Sequence, residues 1–376
     1  MRENSPSDRL NHQADIAELL SRAEIQVDPV DVGTYLQDKV VLVTGAGGSI
    51  GSELCRQVSL CSPRQLLLLG RGEYPIYQIQ QELAASHPAQ DTISLIGDVG
   101  SQGKMDFLFR TYRPQIVFHA AAHKFVPFVE QNPEEGVLNN VFGTQNIALV
   151  ARQYQAEKFV LISTDKAVAP TSVLGATKKL AELIVQDLAR TGETSFVNVR
   201  FGNVLRSRGS VVPLFEQQIA QGGPLTLTHP EMRRYFMSLH EAVHLVLQGG
   251  ATGRNGDLCI LDMGEQVRIL ELAQTLIRMQ GHVSESDIPI VFTGMGAGEK
   301  LEEQMFSAEE TRNVEQTGKL LICRLKKNNH PLDEEGLEKL RQAATQCQRP
   351  QIIKLLQELA PDYHPAGGTG RGWRPA

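Results

Sequence analysis

From residue 39 onward, short aliphatic and β-branched runs alternate with stretches whose apolar positions recur every three to four residues. The short runs predict strands over 40–44, 65–69, 92–97, 115–120, 158–163 and 195–200. Between them the spacing predicts helices over 49–60, 73–85, 101–112, 133–153 and 174–189. The fourth of these opens on Asn132-Pro133-Glu134-Glu135, a capping Asn, a Pro at the first position and acids in the first turn. Strand and helix alternating in this way predict a parallel sheet covered on both faces. After Phe201 the rhythm changes. Helices over 212–221, 240–249 and 268–280 mix with isolated strands over 225–228, 257–261 and 289–292, which reads as a smaller α/β lobe. Two amphipathic helices follow, over 333–346 and 351–359. The expected division is an N-terminal extension over 1–38, a first domain over 39–203, a second lobe over 204–364 and a disordered tail over 365–376. Within the extension, 15–22 reads as a short helix and 27–36 as a linker with apolar anchors.

Composition narrows the class. The 376 residues are 41% hydrophobic and 21% charged, with a net charge of −6, which fits a globular protein. An acidic balance argues against a nucleic-acid binder, so an anionic ligand would need a local basic cluster. The five cysteines are scattered and form no C-x-x-C, which speaks against a disulfide framework or zinc site and fits a reducing cytoplasm. The polar start is unlike a signal peptide, and no apolar run approaches the ~20 residues of a membrane helix. A soluble, cytoplasmic protein without a membrane span is expected. His119 and His123 flank small residues at a strand end, and His240 and His244 lack the acidic pattern of a zinc protease, so no metal is expected.

The strand over 40–43 runs into Thr44-Gly45-Ala46-Gly47-Gly48-Ser49-Ile50-Gly51, with Gly45, Gly48 and Gly51 spaced G-x-x-G-x-x-G. The first permits a tight turn, the second lets backbone approach a pyrophosphate, and the third lets the helix pack on the strand with its N-terminus aimed at the anion. A bare Gly-rich turn is also an ordinary βα connection, but here it opens a full alternating pattern. It therefore predicts dinucleotide binding on a doubly wound parallel (Rossmann) sheet. After the second strand, Arg71 precedes Glu73, which suits the 2′-phosphate of NADP; a solvated turn arginine is the plainer alternative. Asp98, at the end of strand three, is placed to bond an adenine amine.

Beyond this loop the chain carries HAAAHKFVPFVEQNPEE at 119–135, NNVFGT at 139–144, STDKAVAPTSVLGATK at 163–178, RFGNVLRSRGSVVPLF at 200–215 and GEKLEE at 298–303. With TGAGGSIGSELCRQ at 44–57, these stretches resemble the extended short-chain dehydrogenase/reductases, and within them the bacterial UDP-N-acetylglucosamine 4,6-dehydratases of capsule and protein-glycan synthesis. The likeness covers nearly all of 15–363, and 18–39 is similar to the segment that precedes the catalytic domain in the long, membrane-anchored members.

The resemblance implies a 4,6-dehydratase that converts UDP-N-acetylglucosamine to a 4-keto-6-deoxy sugar, with NADP or NAD tightly bound and regenerated each turnover, in a homo-oligomer. It implies Asp165 as acid at O6, Lys166 as base at C5, Thr164 on the C4 oxygen and Lys178 on the nicotinamide ribose. Cofactor contacts would come from Thr44, Gly45, Gly48, Ser49, Ile50, Gly51, Arg71, Glu73, Asp98, Val99, Ala120, Ala121, Ala122 and Asn140. Substrate contacts would come from His123, Lys124, Asn203, Ser210, Val211, Arg234 and Glu299. Arg200, Arg206, Arg208 and Arg233 are further candidate anion partners. Two positions depart from the family pattern. Leu174 stands where the superfamily has tyrosine and the long dehydratases commonly methionine, and Gly296-Ala297 stands where this branch has Arg-Pro. A nucleotide-sugar epimerase, and a degenerate cofactor-binding regulatory protein, are the alternative readings.

Overall fold

All five residues of Val40–Thr44 (β1) are buried, as a strand sandwiched between two helical layers requires. Alternate side chains feed two separate cores. Val40 and Leu42 join one apolar cluster, and Val41 and Val43 join the other. The computed structural model describes residues 19, 20, 22, 30–283, 287–324 and 332–366. Within it, β1 is followed by β2 (Gln65–Gly70), β3 (Thr92–Ile96), β4 (Ile116–His119), β5 (Lys158–Thr164) and β6 (Ser195–Phe201), all parallel. Their spatial order is β3-β2-β1-β4-β5-β6, the doubly wound arrangement whose switch point lies between β1 and β4.

The crossovers are α1 (Ser49–Ser59), α2 (Glu73–Ser86), α3 (Gln102–Tyr112), α4 (Thr144–Gln153) and α5 (Val173–Leu188). The stretch expected as one helix over 133–153 is instead an α-turn at Pro133–Gly136, a π-helical segment at Val137–Gly143, and α4. Leu54 of α1 and Ile76 of α2 lie in one core; Phe109 of α3, Ile147 of α4 and Leu180 of α5 lie in the other.

After β6 the chain serves two places. Short strands β7 (Asn203–Val204), β8 (Leu225–Leu227), β9 (Arg233–Arg234) and β10 (Phe236–Met237) flank α6 (Val211–Ala220) in the chain, and α7 (Leu239–Thr252) returns to the sheet, where Val243 and Val246 join the same core as Val41 and Val43. The strand expected within the smaller lobe, β11 (Leu258–Leu261), pairs in parallel with β6 and extends the main sheet. Beyond β12 (Val267–Arg268), α8 (Ile269–Met279) and β13 (Ile290–Phe292), a hairpin of β14 (Val314–Thr317) and β15 (Leu320–Cys323) adds two antiparallel strands at that edge. The helices α9 (Glu334–Thr345) and α10 (Arg349–Leu359) send Leu337, Leu340 and Leu355 into the same core as α5. A third cluster, centred on Phe215, Leu272 and Leu276, makes the small lobe, with β8 and β13 paired in parallel.

Most of the extension, and most of the expected tail, lie outside the described residues. Leu19 and Leu20 are buried in the small-lobe cluster, Arg22 makes a bidentate pair with Glu241 at 2.8 and 3.1 Å, and Val32 and Leu36 anchor on the main core. At the other end, the Ala366 N–H donates to Thr171 O at 3.1 Å.

Candidate active site

The loop between β1 and α1 is held to glycine by contact. Gly45 has φ +66°, and a Cβ built there would lie 2.8 Å from Ala120 O; one built on Gly51 would lie 2.1 Å from Gly45 O. Gly48 caps α1 with no side-chain hydrogen bond, and the first turn holds no acid, so the helix N-terminus keeps open N–H groups beside a bare backbone surface. That cradle fits a dinucleotide's pyrophosphate. Ser49 Oγ accepts the Arg208 N–H at 3.0 Å, and Ile50 packs half-buried on the core beneath. At the adjoining strand ends, Arg71 Nε lies 3.4 Å from Asp98 Oδ2, while Asp98 Oδ1 accepts the Gly100 N–H at 2.8 Å. Glu73 is exposed in the first turn of α2. Val99 is buried, and its carbonyl accepts from Asn146 Nδ2 at 2.6 Å.

Two residues expected on the cofactor are internal struts. Thr44 is fully buried: its hydroxyl meets His119 Nδ1 at 2.7 Å and accepts the Ala121 N–H at 3.3 Å. His119 Nε2 meets Thr144 Oγ1 at 2.9 Å, and that hydroxyl donates to Asn140 O at 2.7 Å. The Thr144 proton is thereby used, so His119 donates from Nε2 and accepts at Nδ1 from Thr44. Burial, reinforced by the Lys178 charge, pushes the His119 pKa down to about 3, and the ring is neutral. Asn140, also fully buried, accepts the His123 N–H at 2.8 Å and donates to His123 O at 3.1 Å and Thr177 Oγ1 at 3.2 Å. Its side chain is spent on fixing the 120–124 loop, where Ala120 N–H bonds Thr44 O at 3.2 Å and Ala122 is exposed. His123 itself turns toward Glu135 (3.8 Å), and burial and the Arg71 charge lower its pKa. Asp98, beside Arg71 at the neighbouring strand ends, opposes that shift as Glu135 does.

At the C-terminal end of β5, Thr164 begins a single 3₁₀ turn, Asp165–Ala167. Asp165 is fully buried; its Oδ1 accepts from Thr164 Oγ1 at 2.9 Å and from Lys166 Nζ at 3.0 Å. Its Oδ2 has no hydrogen-bond partner and sits against Gly202, where a Cβ would come within 3.0 Å of it. Lys166 Nζ also donates to Asn203 Oδ1 at 3.2 Å and lies 3.7 Å from Glu303 Oε1. Burial favours its neutral amine, but the charges of Asp165 and Glu303 outweigh that and raise its pKa. On α5, Lys178 donates to Ile162 O at 2.7 Å, and burial lowers its pKa to about 8 against the opposing pull of Glu182. Leu174, one turn earlier, is buried in the core.

A cavity of about 200 Å³ opens beside Lys166, lined by Lys124, Phe125, Arg234, Glu299, Lys300 and Glu303 among others. Lys124 is kept in reach by Ser207 Oγ at 3.4 Å. Arg234 is buried, and its guanidinium donates to the carbonyls of Arg233, Lys300 and Leu301. Glu299 accepts the Gly296 N–H at 2.9 Å, which fixes this carboxylate. Ser210 caps α6 and Val211 starts it, half-buried against the small-lobe core. Arg200 is not an anion site: it is buried between Glu182 and Glu310, with hydrogen bonds of 2.6–3.1 Å to both. Arg206 and Arg233 pair with Glu216 and Glu302. Glu303, an acid of the GEKLEE stretch to which the sequence assigns no role, is the one that lies beside Lys166. Among the described residues, no group of three or more His, Cys, Asp or Glu side chains could hold a metal ion, and no helix is long and apolar enough to cross a membrane.

The model of the polysaccharide biosynthesis protein family matches residues 41–325. The chain belongs to that family. Among its polysaccharide biosynthesis relatives, the capsular protein CapD of Staphylococcus aureus is 49% identical over 79% of this chain and 50% of its own length. The probable polysaccharide biosynthesis protein EpsC of Bacillus subtilis is 49% identical over 78% of this chain and 49% of its own. The chain thus spans about half the length of these two relatives. UDP-glucose 4-epimerase of Rickettsia canadensis is 36% identical over 75% of this chain and 81% of its own. Among solved structures, Pen from Bacillus thuringiensis superposes with a TM-score of 0.72 at 31% identity, over 83% of this chain and 99% of that one. DesIV of Streptomyces venezuelae, a dTDP-glucose 4,6-dehydratase solved with NAD bound, gives 0.64 at 21% identity over 72% of this chain and 89% of its own, a likeness of fold.

Proposed function

We propose that this chain is a nucleotide-sugar 4,6-dehydratase acting on UDP-N-acetylglucosamine, with the sugar nucleotide gripped between the Rossmann unit and the segment after Val204. One observation carries the reading: the buried Asp165, with a free Oδ2, hydrogen-bonded to a Lys166 that lines the cavity at the end of β5. Ligands of open α/β sheets sit at that end of the strands. The glycine cradle, Arg71, Asp98 and Lys178 would hold a nicotinamide dinucleotide, and the Arg71 charge favours NADP. When bound, that group supplies the reversible oxidation at C4 and the reduction at C6.

The Asp165–Lys166 pair supplies the protons. At rest Lys166 is an ammonium ion-paired with Asp165. Passing one proton along the 3.0 Å bond leaves a free amine beside a carboxylic acid, with no net charge moved. Closure of the cavity over substrate favours this neutral pair, because two charges lose more hydration than two dipoles. On a sugar carrying a 4-ketone, Lys166 Nζ takes the acidic C5 proton and Asp165 gives its proton to O6. Water leaves, and the ion pair is restored; as C6 is reduced, the Lys166 ammonium gives a proton back to C5, and the proton shed by the C4 hydroxyl on oxidation recharges the amine. Thr164 bonds both Asp165 and the C4 oxygen in this scheme. Leu174 is an apolar wall.

Incubation with UDP-N-acetylglucosamine in deuterated water, read by mass spectrometry and proton NMR, tests the reading. A product lacking one water and labelled at C5 is expected. The Rickettsia epimerase likeness favours a second reading, for which the outcome is an unlabelled C4 epimer. Unchanged sugar with bound cofactor would overturn both in favour of a non-catalytic role.

A further inference from the structure

We propose that residues 205–210 form a clasp over the dinucleotide's diphosphate, with Arg208 as its charged tip. The proposal rests on the dinucleotide reading of the glycine cradle and is independent of the dehydratase chemistry. Arg208 reaches across from the small-lobe side: its N–H donates to Ser49 Oγ at 3.0 Å and its Nη1 to Gly47 O at 2.9 Å. Among the described residues it is the cationic side chain hydrogen-bonded to this loop, since Arg71 is turned to Asp98. An exposed arginine on a neutral carbonyl gains little against the ordering of its torsions. A diphosphate at the same helix N-terminus offers a far better partner for a guanidinium fork.

The backbone around Arg208 is built to hold that reach. Arg206 has φ +54° and Gly209 φ +67°, two left-handed positions within four residues. The Ser210 N–H closes the turn on Ser207 O at 2.9 Å. A Cβ on Gly209 would lie 2.6 Å from the Phe125 ring, and Ser207 receives Lys124 Nζ at 3.4 Å. Phe125 and Lys124 both line the substrate cavity. One short loop therefore touches the cofactor cradle at its tip and the substrate cavity at its flanks. When a dinucleotide binds, Arg208 leaves Gly47 O for the phosphates and the loop closes, so that cofactor release requires the clasp to open.

The test is calorimetric titration of the full chain, freed of cofactor, with NADP, NAD and ADP-ribose, together with the dissociation rate of the reduced cofactor followed by its fluorescence. Arg208→Ala should weaken all three ligands by roughly 10- to 100-fold, the value of one charge-assisted bond, and speed release. Arg208→Lys should recover part of the loss, and both variants should melt where the parent does. If Arg208→Ala lowers the melting temperature, Arg208→Gln is titrated in its place. Parent-like affinity for ADP-ribose in a folded variant overturns the clasp. Failure of the parent itself to bind ADP-ribose would overturn the dinucleotide reading along with the clasp.

Discussion

Lys166→Met removes an ammonium while keeping an unbranched apolar stem, and it is the change to which the proposed chemistry is most sensitive. In the structure that ammonium bonds Asp165 at 3.0 Å and Asn203 at 3.2 Å and stands 3.7 Å from Glu303. Its side chain keeps 20% of its exposure, whereas Asp165 keeps none, so the two halves of the pair differ in what their loss does. If Lys166 is the C5 base, losing it should cost about 10²–10⁴-fold in turnover, or roughly 3–5 kcal/mol on the barrier. Oxidation at C4 does not need it, so reduced nicotinamide should accumulate, read as absorbance near its characteristic band. C5 deuterium incorporation, read by mass spectrometry, should vanish. Asp165→Asn should show the opposite partition, with C5 exchange retained and water loss slowed. A purely structural ion pair would leave turnover alone, whatever stability is lost by stranding the buried Asp165 carboxylate. Deuterium exchange at the parent rate in Lys166→Met would refute the assignment of the base.

Arg71→Ala should narrow the NADP-to-NAD affinity ratio by at least tenfold, since one charge-assisted bond is worth about 1.5–3 kcal/mol; equal binding of both cofactors by the parent would remove the preference. Leu174→Met should keep activity and cost less than about 1.5 kcal/mol, because the position is a buried apolar one in the core; both quantities follow from a rate assay and a melt. Arg200→Met strands Glu182 and Glu310 in the core and should cost about 3–5 kcal/mol by denaturant titration. Burial pulls the Glu310 carboxyl up, but Arg200 holds it below the ordinary value of 4.5. Its contribution is therefore present above that pH and lost as pH falls below it, so the parent's stability should drop there more steeply than the variant's.

What the sequence made legible was local. The alternation of strand and helix through residue 201 follows from short apolar runs and a period of 3.6, and the observed bounds fall within a residue or two of the expected ones. Partner choice was not local. Leu258–Leu261 reads as a strand anywhere, and only the third dimension decides that it continues the main sheet beside β6. The hairpin at 314–323 leaves little trace in the sequence, because Val314–Thr317 is an exposed edge strand with no buried face to imprint a pattern. The same division holds at the site. The glycine spacing and Thr164-Asp165-Lys166 are contiguous signals. Thr44, Asn140 and Arg200 are polar residues whose use depends on partners as far off as Glu310, and a polar side chain at a strand end reads alike whether it meets a ligand or a neighbour.

The π-helical segment at Val137–Gly143 carries one residue more than a regular helix of the same rise would need. Each added residue advances the winding by about 100°, so the stretches before and after it are out of phase with one another. Asn140 sits inside the irregular turn and points at the His123 loop, while Ile147 and Ala151, downstream, keep their place in the core. The bulge is thus a phase shifter, which lets one helix satisfy a polar loop at one end and an apolar layer at the other. Deleting a single residue between 137 and 143 should regularise the winding and swing Asn140 out of line with His123. The helix would be more regular, and the 120–124 loop would lose its anchor.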